Sequence, residues 1–349
     1  MDRRDFLKVS TFATGALVFF SCIKEDFGFL DETEIPSYYM ANGYLNKKID
    51  RIKQLLEEDG VKDAFVFITD QHWEHNAKHS PSILRYIQTK VNIERLFCGG
   101  DIADGCSKDS FDYVKELCNS WSGEIHCVVG NHEYLGSEYA TEDRVYELFK
   151  TNPQIQIGNH RRHYYYVDNN KDKVRYIILS SYSQSVDGGL HANLGYGDEQ
   201  AKWLKDVALN VSEGWNIILF THFMFFIGVN DDKISVAEGA SKIIDIIDNY
   251  EGLGRIIAVF HGHNHRDRVI RLNNSSIPVI VTTCDKNIIL GDDQQNIVRL
   301  EGTKDEQAFD VVVINELFQQ IHCVRIGCSA MDGYNDEVGG VVEERIIDY

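Results

Sequence analysis

The chain has 349 residues, of which 43% are hydrophobic and 26% are charged, and only 4 are proline. This composition is typical of a folded globular protein and excludes a collagen-like, low-complexity or wholly disordered chain. The formal net charge of -19 argues against general nucleic-acid binding, which needs a basic surface, and against polybasic attachment to anionic lipid. An acidic protein that acts on a phosphate compound must therefore bring its own cations.

Residues 1–21 have the layout of an export signal. Arg3 and Arg4 precede an uncharged, mostly apolar run that is too short to span a bilayer. The paired arginines resemble a twin-arginine signal, and Ser21-Cys22 resembles a lipoprotein cleavage site. We predict export from a bacterial cell, with a periplasmic or outer-membrane (surface) lipoprotein as the product and a lipid on Cys22 as its membrane attachment. A plain cleaved signal peptide with an incidental cysteine is the alternative.

The next segment, residues 22–40, is interpreted as a tether, and residues 41–349 as a single domain. Apolar residues recur at helical spacing over 42–59 and predict an amphipathic helix.

Five short apolar runs that follow this helix are typical of buried strands, and each of them ends in a polar cluster. These runs cover residues 64–68, 96–98, 125–129, 217–220 and 256–260.

Helix-like stretches separate these strands, and the end of the chain is rich in strands. The predicted helices cover residues 82–90, 110–120, 141–150, 198–209 and 236–250, and the later strands 268–272, 277–282, 309–314 and 321–326. Alternation of this kind predicts an α/β protein with a largely parallel or mixed sheet. Because ligands bind beyond the carboxyl ends of such strands, the polar clusters predict a functional site there.

The polar clusters supply only oxygen and imidazole ligands. They contain Asp70, His72, Asp101, Asn131, His222, His263 and His265. Mixed carboxylate and imidazole ligation suits Mn, Fe or Zn, and the absence of thiolates from the clusters argues against a closed structural zinc site. Seven ligands are too many for one ion, so we predict two divalent metal ions with Asp101 bridging them.

The order of the motifs adds a family resemblance. Asp70-x-His72, Gly100-Asp101, Gly130-Asn131-His132-Glu133, the lone His222 and Gly262-His263-x-His265 follow one another along the chain. This order resembles the calcineurin-like metallophosphoesterases, in particular their phosphodiesterase-like branch, over a motif core of residues 64–265. The resemblance implies a β-sandwich of mixed sheets flanked by helices, in four αββα layers.

The resemblance also implies a role for each motif residue. The first metal would be held by Asp70, His72 and His265, the second by Asn131, His222 and His263, and both by the bridging Asp101. His132 resembles the family's acid, and Glu133 is expected to orient it. Asp104 is expected to contact a ligand histidine. The implied reaction is attack of a metal-bridging hydroxide on phosphorus, in line with the leaving group.

The sequence predicts a phosphoric ester hydrolase and leaves its substrate open. A small-molecule, lipid or nucleotide phosphate ester is expected, either a diester or a small monoester. Purple acid phosphatases carry a tyrosine ligand shortly after the bridging aspartate, and this chain has none in Gly100-Asp101-Ile102-Ala103-Asp104. The rival hypothesis is a non-catalytic lipoprotein that uses the same fold as a binding module.

Several residues beside the motifs admit two interpretations. His75, His79, His191 and Asn193 could contact substrate or lie in solvated loops. The run 223–226 after His222 could line an apolar pocket, although core packing is the preferred interpretation. His261 is interpreted as structural because strand alternation turns it away from His263, and the tyrosines at 164–166 are interpreted as a strand.

Overall fold

The computed structural model describes residues 35–72, 79–104, 107–133, 156–159, 163–183, 193–227, 234–286, 288–290, 296–328 and 343–349. Residues from 35 onward belong to one compact unit. Ile35 and Tyr39 are buried in its core, so the last residues of the predicted tether pack against the body of the protein. The export signal and Cys22 lie outside the described residues. Within the described ranges, no helix has both the length and the apolar character needed to cross a membrane.

The helices fall largely where the apolar periodicity predicts them. They are α1 Ser37–Met40, a 3-10 turn Ala41–Gly43, α2 Tyr44–Leu56, α3 Ser80–Lys90, α4 Lys108–Asn119, α5 Asp198–Trp203, which continues as a π-helical turn Leu204–Ala208, and α6 Ala240–Asp248. At the start of α4 the Ser107 hydroxyl accepts a hydrogen bond from the Ser110 amide, which satisfies one exposed helix donor. The helix predicted at 141–150 lies outside the described residues.

Nineteen strands lie within the described ranges. In chain order they are β1 Val61–Ile68, β2 Arg95–Cys98, β3 Glu124–Cys127, β4 Gln156–Asn159, β5 Tyr164–Asn169, β6 Val174–Ile178, β7 Tyr182–Ser183, β8 Asn193–Leu194, β9 Asn216–Thr221, β10 Phe225–Ile227, β11 Ile234–Val236, β12 Arg255–His261, β13 Arg268–Arg271, β14 Pro278–Val281, β15 Ile288–Leu290, β16 Asn296–Val298, β17 Ala308–Asn315, β18 Gln320–Gly327 and β19 Glu344–Asp348. The tyrosine cluster is indeed part of a strand, β5. Helix α6 begins four residues later than predicted, because Val236 still pairs with Phe225 of β10 and Gly239, directly before the helix, has a φ angle of 71°.

Two mixed sheets form the centre of the fold. Sheet 1 has the order β19-β18-β17-β1-β2-β3, and sheet 2 has the order β13-β14-β12-β9-β6-β5-β4. In sheet 1 the strands β1, β2 and β3 run parallel, and in sheet 2 the strands β6, β9, β12 and β14 run parallel. The outer strands of both sheets pair antiparallel.

Alternating side chains of the strands build three apolar layers. In β1, Phe65 and Phe67 pack between the two sheets, whereas Val66 and Ile68 face helices α2, α3 and α4. Between the sheets the rings of Phe97 and Phe220 stack with their centroids 4.0 Å apart. On the far side of sheet 2 a third cluster packs against α5 and α6. The fold is therefore the predicted four-layer αββα sandwich, because each face of each sheet buries apolar surface.

Two groups of ion pairs join distant parts of the chain. Arg325 bridges Asp267 and Asp310 at 2.6–2.8 Å, and Arg345 reaches Asp310 at 2.6 Å; all four side chains are almost fully buried. Because Asp267 follows His265 by two residues, this cluster fixes the end of sheet 2 to sheet 1. Removing one partner of such a buried cluster leaves an uncompensated charge and costs about 3–5 kcal/mol.

The second group is the Glu344 clasp, formed by Glu344, Arg51 and His322. Arg51 donates two hydrogen bonds of 2.8 Å to Glu344, and the Nδ1 atom of His322 lies 2.8 Å from the same carboxylate. Burial opposes the charged carboxylate, but the hydrogen bonds from His322 and Arg51 outweigh it and lower the pKa of Glu344 to about 2. The clasp attaches β19 to helix α2 and to β18.

Candidate metal centre

The predicted ligands come together where five strands end. The strands β1, β2 and β3 of sheet 1 and β9 and β12 of sheet 2 all end at one edge of the sandwich. The residues that follow them include Asp70, His72, Asp101, Asn131, His222, His263 and His265, and short distances link these side chains to one another. The arrangement follows from the sheet topology, since the carboxyl ends of parallel strands lie side by side.

The backbone at this edge is held in an unfavourable conformation. Asp70, His72, Asp101, His263 and His265 have φ angles between 42° and 64°, in the left-handed region that non-glycine residues seldom occupy. Each such residue costs about 1–3 kcal/mol unless the surroundings impose it. The strain turns five side chains toward one point, and its concentration there indicates a functional site.

Two glycines leave room for the carboxylates. A Cβ atom on Gly130 would lie 2.2 Å from Oδ1 of Asp101, and a Cβ atom on Gly262 would lie 2.7 Å from Oδ2 of Asp70. Both contacts are far inside the van der Waals distance. The glycines of the Gly-Asn-His and Gly-His-x-His motifs are therefore required by close approach to the two aspartates.

The first ligand group contains Asp70, His72 and His265. Nε2 of His265 lies 3.3 Å from Oδ1 of Asp70 and 3.2 Å from Nε2 of His72, and the remaining His72–Asp70 distance is 4.0 Å. The other Asp70 oxygen, Oδ2, accepts hydrogen bonds from the Thr69 hydroxyl at 2.7 Å and the His263 amide at 2.8 Å. Only Oδ1 is thus left to face the two imidazoles.

The second ligand group contains Asp101, Asn131, His222 and His263. Nε2 of His222 lies 3.2 Å from Oδ2 of Asp101 and 3.3 Å from Nδ1 of His263, which in turn lies 3.0 Å from Oδ1 of Asn131. The same Asp101 oxygen is 3.7 Å from Nε2 of His72 in the first group. Asp101 therefore stands between the two groups, at the position that a bridging carboxylate needs.

The geometry and the charges of these groups fit two cations. Atoms bound to one ion at the usual distance of about 2.0–2.1 Å lie about 3.0–3.4 Å apart, as most of the separations above do. Oδ1 of Asp70 is buried and has no hydrogen-bond donor among the described residues. Burial disfavours a charged His222, yet the carboxylates of Asp101 and Asp70 outweigh it and raise the pKa of the imidazole to about 10. The site therefore attracts positive charge, and the buried carboxylate oxygen lacks only a cation.

Hydrogen bonds on the far side of the imidazoles set their orientation. Nδ1 of His222 donates to the Gly99 carbonyl at 2.8 Å, so Nε2 is the ring nitrogen that faces Asp101 and is left for an ion. Nδ1 of His72 lies 3.3 Å from Asp104, which leaves its Nε2 for the first group. Asp104 thus contacts a predicted ligand histidine, as the sequence predicts.

His132 lies at the rim of the site. It is oriented by Asp104, which the sequence analysis expected to contact a ligand histidine. Its Nδ1 atom is 2.5 Å from Oδ1 of Asp104, and its ring centroid is 4.3 Å from that of His72. Burial disfavours the charged imidazole, but the hydrogen bond to Asp104 and the charge of Asp101 outweigh it and raise the pKa of His132. A histidine whose protonated form is favoured, beside the two ligand groups, is suited to act as an acid.

Glu133 does not orient His132, contrary to the sequence prediction. It is fully buried, and its two oxygens accept four backbone hydrogen bonds of 2.7–3.1 Å, from Gly130, Asp101, Ile102 and Ala103. The carboxylate therefore holds together the two turns that carry Asp101 and His132. The side chain lies under the loops because four backbone amides need an acceptor there.

The remaining predicted residues have mostly structural positions. Nε2 of His261 accepts hydrogen bonds from the amides of Met224 and Phe225, at 2.7 and 3.0 Å, so His261 supports the loop after His222. Phe223 is buried, with its ring 4.2 Å from that of His263, which agrees with core packing.

Among the histidines left open, His79 precedes helix α3 and lies 4.0 Å from Glu306. His75 and His191 fall outside the described residues. Of Asn193 the structure describes only the backbone, which begins β8.

One further polar cluster, which was not predicted from the sequence, lies at the same edge. Strand β14 runs parallel to β12 and also ends in polar residues, Thr282-Thr283-Cys284-Asp285-Lys286. The amide of Asp285 donates to the Thr69 carbonyl at 2.9 Å, and that of Lys286 to the Asp70 carbonyl at 3.3 Å. The rule that found the other clusters, polar residues after a buried strand, applies to this one as well.

Comparisons with known proteins agree with this geometry. The sequence pattern of the calcineurin-like phosphoesterases matches residues 64–267. A dimetal phosphatase from Danio rerio has a similar fold, with a TM-score of 0.58 and 15% identity, over 83% of this chain and 99% of that one. A purple acid phosphatase from yellow lupin (Lupinus luteus) seeds has a TM-score of 0.51 and 15% identity, over 84% of this chain and 55% of that one. No curated protein sequence matches the chain.

Proposed function

Because this chain belongs to the calcineurin-like phosphoesterase family, we propose that it hydrolyses a small phosphate ester at the strand-end site, with His132 as the acid for the leaving group. The family assignment makes the protein a phosphoric ester hydrolase that uses two divalent metal ions. The observation that carries the proposal is the convergence of the two ligand groups on Asp101, with a buried Asp70 oxygen that lacks only a cation.

Two divalent cations, when bound, supply Lewis-acid activation of water and of the phosphoryl oxygens. Asp70, His72 and His265 would hold one of them, and Asn131, His222 and His263 the other, with Asp101 shared. The acidic chain can thus accept a phosphate anion, because the local charge at the site is inverted by the ions.

The protein's own part in the reaction is orientation and proton transfer. Asp101 keeps its position through its own amide, one of four that donate to Glu133, and through the His132 amide, which donates to Oδ1 of Asp101 at 2.8 Å. His132 holds a proton on the side away from Asp104 and gives it to the oxygen of the leaving alcohol. General acids of this kind contribute about 10²–10⁴-fold in rate, most for leaving groups that are poor anions.

The rival hypothesis, a binding module without catalysis, gains no support from the site. A scaffold needs neither five strained backbone positions at one point nor a buried carboxylate oxygen without a donor, since each feature costs folding free energy. These costs are offset only if the site binds ions, and an acid beside the ions completes a hydrolytic centre.

To test the proposal, the purified protein is reconstituted with Mn. Its turnover of an aryl phosphate monoester is then compared with its turnover of the matching bis-aryl diester. The variant Asp101→Asn should lose bound metal and nearly all turnover. Asp112→Asn, the same change on the exposed face of α4, is the matched control and should keep both. An Asp101→Asn protein with wild-type metal content and turnover would exclude the proposed centre.

The role of His132 has a separate test. The variant His132→Gln should keep its metal and lose more activity toward an alkyl ester than toward an aryl ester, because only the poor leaving group needs the proton. An equal loss with both esters would contradict the assignment of His132 as the acid.

We also propose that the protein is exported and attached to a membrane by a lipid on Cys22, with a small-molecule, lipid or nucleotide phosphate ester as its substrate. The support is the sequence of residues 1–22: paired arginines, an apolar run and a lipoprotein-like Ser21-Cys22. Growth of the producing bacterium with labelled palmitate should label the wild-type protein but not Cys22→Ser. Equal labelling of both would contradict lipidation at Cys22.

A further inference from the structure

Lys286 is a largely buried lysine that has no counter-ion among the residues that the structure describes. Its side chain is 9% exposed, and no described residue accepts a hydrogen bond from its ammonium group or lies within ion-pair distance of it. Neighbouring Asp285 is not its partner, because the two oxygens of that carboxylate accept from the Ser80 hydroxyl and from the Ala308 amide at 2.9 Å. The positive charge of Lys286 is therefore not neutralised by any residue that the structure describes.

The lysine lies beside the first ligand group. Its amide donates to the carbonyl of Asp70, so its backbone runs next to the turn that carries Asp70 and His72. Its positive charge is close enough to contribute to the lowered pKa of His72, although burial of that imidazole is the larger cause. Arg299, 6% exposed, adds a second cation nearby through a hydrogen bond of 3.2 Å to the Thr283 hydroxyl.

The charges of the two ligand groups indicate which kind of ligand would be attracted to Lys286. The two carboxylates of Asp70 and Asp101 carry two negative charges, and two divalent ions would bring four positive ones. A further ammonium group is then repelled until an anion binds, and it favours the anion that carries the most negative charge.

We propose that Lys286 is an anion-binding residue that selects phosphate monoesters, which are dianions, over diesters, which are monoanions. The inference rests on the proposed function and narrows its substrate to the monoester class. The ammonium group of Lys286 would bind an oxygen of the phosphoryl group that is transferred. It would bind the product, inorganic phosphate, in the same way.

The test compares the Mn-loaded wild-type protein with Lys286→Met, Lys286→Arg and, as the matched control, Lys205→Met at an exposed lysine on the π-helical turn. The measurements are kcat/KM for an aryl monoester and its diester, the affinity for inorganic phosphate by calorimetry, and metal content. A charge-assisted hydrogen bond is worth about 10–100-fold in affinity. In Lys286→Met, kcat/KM for the monoester and the affinity for phosphate should fall by about that factor. The kcat/KM for the diester should fall less than threefold, and the two metal ions should be retained.

The proposal would be overturned if Lys286→Met lowered kcat/KM equally for both esters, and so kept the wild-type ratio of monoester to diester turnover. It would also be overturned if this variant lost metal. Lys286→Arg should keep most of the preference, since it keeps the charge. Should the wild-type protein bind metal and phosphate but cleave neither ester, the proposed function fails, while phosphate affinity in Lys286→Met still tests the lysine separately. Unchanged phosphate affinity in that variant would refute the role of Lys286.

Discussion

The substitution Glu133→Gln probes how the site is held in place without removing a metal ligand. Glu133 keeps its shape in this variant, but one of its two oxygens becomes an NH₂ group. Each oxygen accepts two backbone hydrogen bonds: Oε2 accepts from Gly130 at 2.7 Å and Asp101 at 3.0 Å, and Oε1 from Ile102 at 2.7 Å and Ala103 at 3.1 Å. Either orientation of the amide therefore leaves two backbone donors facing another donor.

The expected loss of stability follows from these contacts. Each buried donor that loses its acceptor costs about 1–3 kcal/mol, so two of them lower the free energy of unfolding by about 2–6 kcal/mol. Since the lost bonds are internal to the protein, the loss should appear in the metal-free protein. A further loss should appear with Mn present, because Asp101 is less firmly held and metal binding contributes less stabilisation.

The assay is urea unfolding with and without Mn, together with the metal content of the purified protein. Glu116→Gln makes the same chemical change on the exposed face of α4 and should leave stability within about 0.5 kcal/mol of wild type. If Glu133→Gln were as stable as Glu116→Gln in the absence of metal, the four hydrogen bonds would not be what holds the two turns, and the reasoning would be refuted.

Three further outcomes are expected. Asp104→Asn should lower the pKa of His132, because its hydrogen bond raises that pKa, and should move the basic limb of the kcat–pH profile to lower pH; an unmoved limb would contradict this. Gly130→Ala should bind at least one metal ion fewer, because the new Cβ would lie 2.2 Å from Oδ1 of Asp101. A wild-type metal content in this variant would contradict the prediction. Glu344→Gln should be less stable than wild type at neutral pH, on the order of 1 kcal/mol, and should lose less stability as the pH falls from about 4.5 to 2. The sign follows because the pKa of Glu344 is lowered in the native state, so its contribution exists above the unfolded value and is lost on acidification; equal pH slopes in urea unfolding would refute it.

Much of the site could be predicted from the sequence because its ligands follow buried strands. The apolar runs before Asp70, Asp101 and Asn131 have the composition of strands buried on both faces. Polar residues directly after such strands lie at the carboxyl-end edge of the sheet, where ligands bind. The alternation of strands and amphipathic helices also predicted an α/β protein with a parallel or mixed sheet, whereas the four layers were expected only from the family resemblance. The cluster that ends in Lys286 obeys the same pattern, and the structure shows that it lies beside the others.

Local sequence by itself determined which residue types meet at the strand ends, because a buried strand, a glycine and a ligand are neighbours along the chain. Only the tertiary structure decided how these residues are supported. Glu133 was expected to orient His132, but it accepts hydrogen bonds from four amides of two separate loops. The imidazole of His132 is instead hydrogen-bonded to Asp104, which lies 28 residues earlier in the chain. Likewise, only the structure shows that no described residue lies within ion-pair distance of the Lys286 ammonium group. Such assignments depend on contacts between segments far apart in the sequence and on which donors remain unsatisfied after folding, and neither has a local pattern.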